Sequence, residues 1–77
     1  MITFYTWIRQ FQNQENSIGD LSLDILNDPN FPKTKNYDIM LDYLKSVNAC
    51  NNALNVFKKL YLIYTKKLKI NNNMVIL

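Results

Sequence analysis

The sequence predicts an all-α fold, a compact bundle of about four helices. Three observations carry that reading. Apolar residues recur at helical spacing in four successive segments rather than alternating. Gly and Pro are scarce, at one and two of 77 residues, while Leu, Ile, Asn and Lys are abundant; that balance suits helices better than sheets. Finally, both prolines fall in one stretch, Asp28-Pro29-Asn30-Phe31-Pro32-Lys33. Proline fixes its own φ and disfavours the α region in the residue before it. Asp28 and Phe31 are therefore pushed toward extended backbone, and no helix passes through. Phe31, apolar on a rigid non-helical segment, reads as a plug between the helices on either side.

Taken in order, Phe4, Trp7, Ile8 and Phe11 follow the i, i+3, i+4, i+7 rule, with Tyr5 beside them and Thr3 as N-cap. Gln10 to Asn16 is polar and reads as a loop. Ser17-Ile18-Gly19-Asp20 resembles a capping box that opens a second helix. Its inner positions are Ile18, Leu21, Ile25 and Leu26, with Asp20 and Asp24 outside; Asn27-Asp28-Pro29 ends it. Thr34 or Asn36 caps a third helix, with Tyr37, Met40, Leu41 and Leu44 inward and Asp38, Asp42 and Lys45 in water. Val47 to Asn52 is a short break. The last helix is expected over about 51–68, burying Ala53, Phe57, Leu60 and Tyr64, with Leu54, Tyr61 and Leu68 flanking. Asn71-Asn72-Asn73 is expected to stop it. The division is then one domain over residues 1–70 and a flexible or partner-docked tail over 71–77, apolar from Met74 to Leu77 and available for self-association.

Bulk properties narrow the class. So short a chain buries only about 60–65% of its unfolded surface, yet 48% of its residues are hydrophobic and 13% aromatic, enough for a core. A single cysteine, Cys50, forms no internal disulfide and indicates a reducing compartment. No apolar run reaches the roughly 18 residues of a membrane span, and Met1-Ile2-Thr3-Phe4 lacks a basic signal-peptide start. The expected location is the cytoplasm. The net charge of +3 hides an asymmetry: Arg9, Lys33 and Lys35 stand against six acidic residues through Asp42, whereas Lys45, Lys58, Lys59, Lys66, Lys67 and Lys69 follow with no acid among them. An acidic front and a basic rear leave one face for an anionic partner.

Phe4-Tyr5-x-Trp7, Gly19-Asp20-Leu21-x-x-Asp24, Asp28-x-x-Phe31-Pro32-Lys33, Tyr37, Tyr43-Leu44, Phe57 and Tyr64, in that order, resemble the YozE-like family, small bacterial proteins with a sterile-alpha-motif-like fold. The likeness runs from about Phe4 to Tyr64, and Phe31-Pro32-Lys33 is its most specific part. It implies a compact four-helix bundle and no particular activity. One departure stands out: relatives tend to be acidic after the last-helix Phe, where this chain has Lys58 and Lys59, and Tyr61 stands where Trp is usual. The resemblance therefore implies a last helix that has changed partner.

Catalysis has little support. There is no His, so the commonest general base near neutral pH is missing. Cys50 has no base to activate it, and one Gly makes no phosphate-cradling loop. Asp20, Asp24 and Asp28 recur every four residues, but without a chelating loop they read as a solvated face rather than a cation site. No cofactor or metal is expected. The lysines carry more. At about 100° per residue, Lys58, Lys59, Lys66 and Lys69 share one arc of the last helix, opposite Phe57, Leu60, Tyr64 and Leu68. Such a stripe suits phosphates, and Tyr5 or Tyr61, if exposed, would stack on unpaired bases. The expected role is a non-enzymatic binding module. That role is a single-stranded-DNA-binding or DNA-replication accessory protein acting with a larger partner. The alternative is a protein–protein interaction adaptor without nucleic-acid contact.

Overall fold

A computed structural model describes the backbone of residues 2–76 and the side chains of residues 2–66. Four α-helices follow one another: α1 (Phe4–Trp7), α2 (Ser17–Leu26), α3 (Tyr37–Ser46) and α4 (Asn51–Ile76), with no strand among the described residues. The first predicted helix is a single α-turn that tightens into a 3-10 turn over Ile8–Phe11. Its apolar spacing survives the change. Phe4, Trp7 and Ile8 are buried, and Phe11 meets the Trp7 ring edge-on at 5.0 Å.

Local chemistry sets each helix start. Thr3 Oγ1 accepts the Thr6 N–H at 3.3 Å, and Asn36 Oδ1 accepts that of Ile39 at 3.1 Å. The cap of α2 is Asn16, not Ser17: its Oδ1 accepts the N–H groups of Ile18 and Gly19 at 3.0 and 3.1 Å. Asn and Ser cap about equally well, so sequence alone does not resolve the one-residue shift. With Asn16 as cap, the third helical residue is Gly19, and the predicted capping box with Asp20 does not form. Gly19 has a steric task instead, since a Cβ there would lie 1.8 Å from the Gln14 carbonyl oxygen. Only glycine lets the loop before α2 pass this close.

The proline stretch turns as its residues dictate. Asp28 Oδ1 accepts the Asn30 N–H at 2.9 Å, and Asp28 O accepts that of Phe31 at 3.3 Å. Phe31 is thereby delivered inward, 3% exposed, with the Tyr43 ring edge-on at 5.8 Å and the Tyr5 ring stacked at 6.4 Å. At its far end α3 closes with Asn48 at φ 62°, in the left-handed region that Asn tolerates better than most residues. The Asn48 N–H reaches Lys45 O at 3.1 Å and the Ala49 N–H reaches Leu44 O at 3.0 Å, the Schellman pattern. This turn sends the chain straight into α4.

One cluster forms the core: Phe4, Trp7, Ile8, Leu21, Ile25, Phe31, Met40, Leu44, Phe57, Leu60 and Tyr64. Phe4 sits among three α4 rings, edge-on to Phe57 at 5.3 Å and Tyr64 at 5.6 Å and tilted against Tyr61 at 6.1 Å. Tyr64 also donates its hydroxyl to Ile2 O at 2.6 Å. Ser22 is the one polar residue fully buried among the described residues, and its hydroxyl donates to Ile18 O at 2.8 Å. It occupies an inner position of α2, while Ile18 and Leu26, predicted as inner, lie at the rim half-buried. The backbone of α4 is helical through the three asparagines expected to end it. Asn costs a helix only fractions of a kcal/mol, roughly 0.6, whereas Pro, at roughly 3, would break it. The side chains of the predicted tail lie outside the described residues.

Candidate functional site

The buried line of α4 is the predicted one. Phe57, Leu60 and Tyr64 are at most 1% exposed, and Ala53 is half-buried at the rim. Turning the helix over brings Lys58, Lys59 and Lys66 to the surface, all exposed. The fourth predicted lysine, Lys69, lies outside the described residues. Two large apolar residues share the lysine face: Leu62 is 59% exposed and Ile63 43%. They stand one turn from lysines, Leu62 between Lys58 and Lys66, and Ile63 beyond Lys59, as i, i+4 neighbours do. Sequence reasoning had the signal for both, because the same 100° count that groups the lysines places Leu62 within their arc and Ile63 at its edge.

Hollows border this face on either side. One, of about 360 Å³, is lined by Tyr37, Lys58, Tyr61 and Leu62 and is almost wholly apolar. Tyr37 is held there by stacking on Phe57, 5.5 Å between ring centres and 13° between planes. Asn16, Ser17, Ile18, Val56, Lys59 and Ile63 contribute to the other, of about 410 Å³, where the start of α2 meets α4. Three exposed lysines therefore adjoin two exposed apolar residues, with a depression on each flank.

The tyrosines are placed differently from what base stacking requires. Tyr61 is half-buried, tilted against Tyr37 at 5.0 Å, and donates its hydroxyl to Lys35 O at 2.7 Å. Tyr5 is half-buried too; its hydroxyl donates to Leu26 O at 3.3 Å, and Lys33 Nζ lies 5.0 Å from its ring centre. Both rings are thus half-buried with their hydroxyls engaged.

Away from α4, Asp20 and Asp24 are exposed on α2, and no group of three metal-ligating side chains occurs among the described residues. Asp28 accepts the Tyr43 hydroxyl, and that bond, followed by the Asn30 N–H, holds its carboxyl below the usual range. The same contact raises Tyr43 above the usual phenol value, helped by desolvation and by the Asp28 charge. Cys50 is exposed; its Sγ accepts the Ala53 N–H at 3.4 Å and so caps the first turn of α4. No helix among the described residues is long and apolar enough to cross a membrane.

Comparison with known proteins places this geometry. The family model described as the YozE SAM-like fold matches residues 3–66. A UPF0346 protein of Staphylococcus saprophyticus is 32% identical over 68 residues, covering 87% of this chain and 93% of that protein. No solved structure matches.

Proposed function

The chain belongs to the family with the YozE SAM-like fold, and on that scaffold we propose that it is a non-enzymatic cytoplasmic adaptor that docks onto a larger protein through α4. The observation behind this reading is the exposure of Leu62 and Ile63 beside Lys58, Lys59 and Lys66. Adjacent on one helix, the two form an apolar patch, whereas Ile2, Leu23, Ile39 and Val47 are exposed singly. A partner with an acidic amphipathic helix fits this patch, because its apolar stripe covers Leu62 and Ile63 while its carboxylates meet Lys58, Lys59 and Lys66. A second reading puts single-stranded DNA on the same lysines, as in a replication accessory protein. The apolar hollow at Tyr37 and Tyr61, beside Lys58, favours it; the half-burial of Tyr5 and Tyr61 weighs against it.

Fluorescence anisotropy with two probes separates the readings: a Leu/Glu amphipathic helical peptide and a single-stranded oligonucleotide, each at 50 and 200 mM salt. Burying the exposed halves of Leu62 and Ile63 is worth roughly 2 kcal/mol together, so L62Q/I63Q should weaken the peptide about 30-fold. The oligonucleotide should be little affected by that change. Reversal of Lys58, Lys59, Lys66 and Lys69 to Glu should weaken both. If only the oligonucleotide binds, with a slope of log affinity against log salt near −3 for about four engaged phosphates, the adaptor reading fails and the DNA reading stands.

A further inference from the structure

Where the C-terminal ends of α2 and α3 meet the start of α4, a cavity of about 250 Å³ opens to solvent. Its inner wall is apolar, with Phe31 and Leu44 only 3% and 5% exposed and Ala53 beside them. Asp24, Asp28 and Cys50 line it as well. At this size it falls below the roughly 300 Å³ at which small-molecule sites begin, and suits a single side chain.

The lining holds two carboxylates and no cationic side chain. Asp24 lies in the last turn of α2 and Leu44 in that of α3, and a helix C-terminus carries about half a negative charge. Two such ends therefore add to two carboxylates. The start of α4 opposes them with the opposite end charge, and Lys45 stands in the last turn of α3, so the negative rim is that of Asp24 and Asp28. The donors on Asp28, the Tyr43 hydroxyl and the Asn30 N–H, are both neutral. They fix the carboxylate without cancelling its charge. An apolar recess with an anionic rim complements a cation on an apolar stem.

We propose that this cavity is a second docking site, which takes a lysine or arginine side chain presented by a peptide segment of a partner protein. The stem lies against Phe31 and Leu44, and the cationic head meets Asp24 and Asp28. The site shares none of its lining with the lysine face of α4 and does not depend on it. A molecule built this way holds partners by opposite charges at two places.

Cys50 supplies a reporter, because a seated side chain covers its exposed thiol. The rate of Cys50 alkylation by iodoacetamide is measured in the full chain against increasing acetyl-Ala-Ala-Lys-Ala-Ala-amide, with amide shifts of Leu21 and Ala53 followed by NMR. We expect saturable protection by the lysine peptide and none by the same peptide carrying norleucine. D24N should weaken binding by roughly twofold to fivefold, as expected for loss of one exposed, screened charge contact. Asp24 is exposed, so its helical circular dichroism should be unchanged. Equal protection by the norleucine peptide, or equal binding by D24N, would overturn the proposal. Butylammonium binding as tightly as the peptide would overturn it too, by assigning the cavity to free amines.

Discussion

Replacing Phe31 with Ala tests whether the proline stretch organises the core. The side chain is 3% exposed and touches the Tyr5 and Tyr43 rings. Phe→Ala in a core costs about 3–5 kcal/mol, as lost transfer energy plus the void left behind. Phe31 borders a cavity already open to solvent, so water can enter the new space and the void contributes less. The expected loss is therefore about 3 kcal/mol, at the low end of that range. For a domain of this size each kcal/mol moves the midpoint about 4–8 °C, so Tm should fall by roughly 12–24 °C. Thermal and urea unfolding followed by circular dichroism at 222 nm would measure it. F31L should recover most of the loss, because it restores an apolar side chain of similar reach. A Tm within about 4 °C of the unsubstituted protein would refute the reasoning, since it would correspond to less than about 1 kcal/mol.

Three further substitutions test separate contacts. G19A brings a Cβ against the Gln14 carbonyl; because backbone must move, the expected loss is about 1–3 kcal/mol despite the better helix propensity of Ala, and a gain in Tm would show that the loop yields freely. N16A removes the acceptor for two N–H groups at the start of α2 and should cost about 1 kcal/mol, read from the same unfolding curves, whereas S17A should cost little. Asp28 has a lowered folded-state pKa, so its contribution to stability is complete above the ordinary carboxylate value and is lost as pH falls through the lowered one. Tyr43 is raised, so its contribution holds below the ordinary phenol value and is lost as pH climbs through the raised one. Stability of Y43F against pH should be flatter at both ends than that of the unsubstituted protein; unchanged acid and alkaline limbs would mean that the Tyr43–Asp28 contact carries no linkage.

Residues whose role is set by spacing were readable in advance. Phe4, Trp7 and Ile8, then Leu21 and Ile25, then Phe57, Leu60 and Tyr64 are buried because helical periodicity alone puts them on one side of their elements. Phe31 was readable from its prolines. Choices between near-equal local solutions were not. Asn16 outcompetes Ser17 as a cap, and α1 tightens into a 3-10 turn at Ile8, differences too small for propensity to resolve. The steric role of Gly19 was not readable, because its reason lies in Gln14, five residues away across a loop. Of the candidate face, three lysines were identified by their arc. Leu62 and Ile63 were not, because a search for charge passes over the apolar residues set among it. The Asp24–Asp28 cavity was out of reach altogether, since it exists only once α2, α3 and α4 converge.

The Tyr64 hydroxyl on the Ile2 carbonyl bears on how the protein emerges from the ribosome. Tyr64 is added 62 residues after Ile2. Until then Phe4 has neither Phe57 nor Tyr64 to pack against, and helices as short as α1 and α2 are marginal on their own. The hinge and α3 can therefore shape the nascent chain without closing it. Folding waits for α4, and a ribosome-bound chain stalled before Tyr64 clears the exit tunnel should remain open to protease along its whole exposed length.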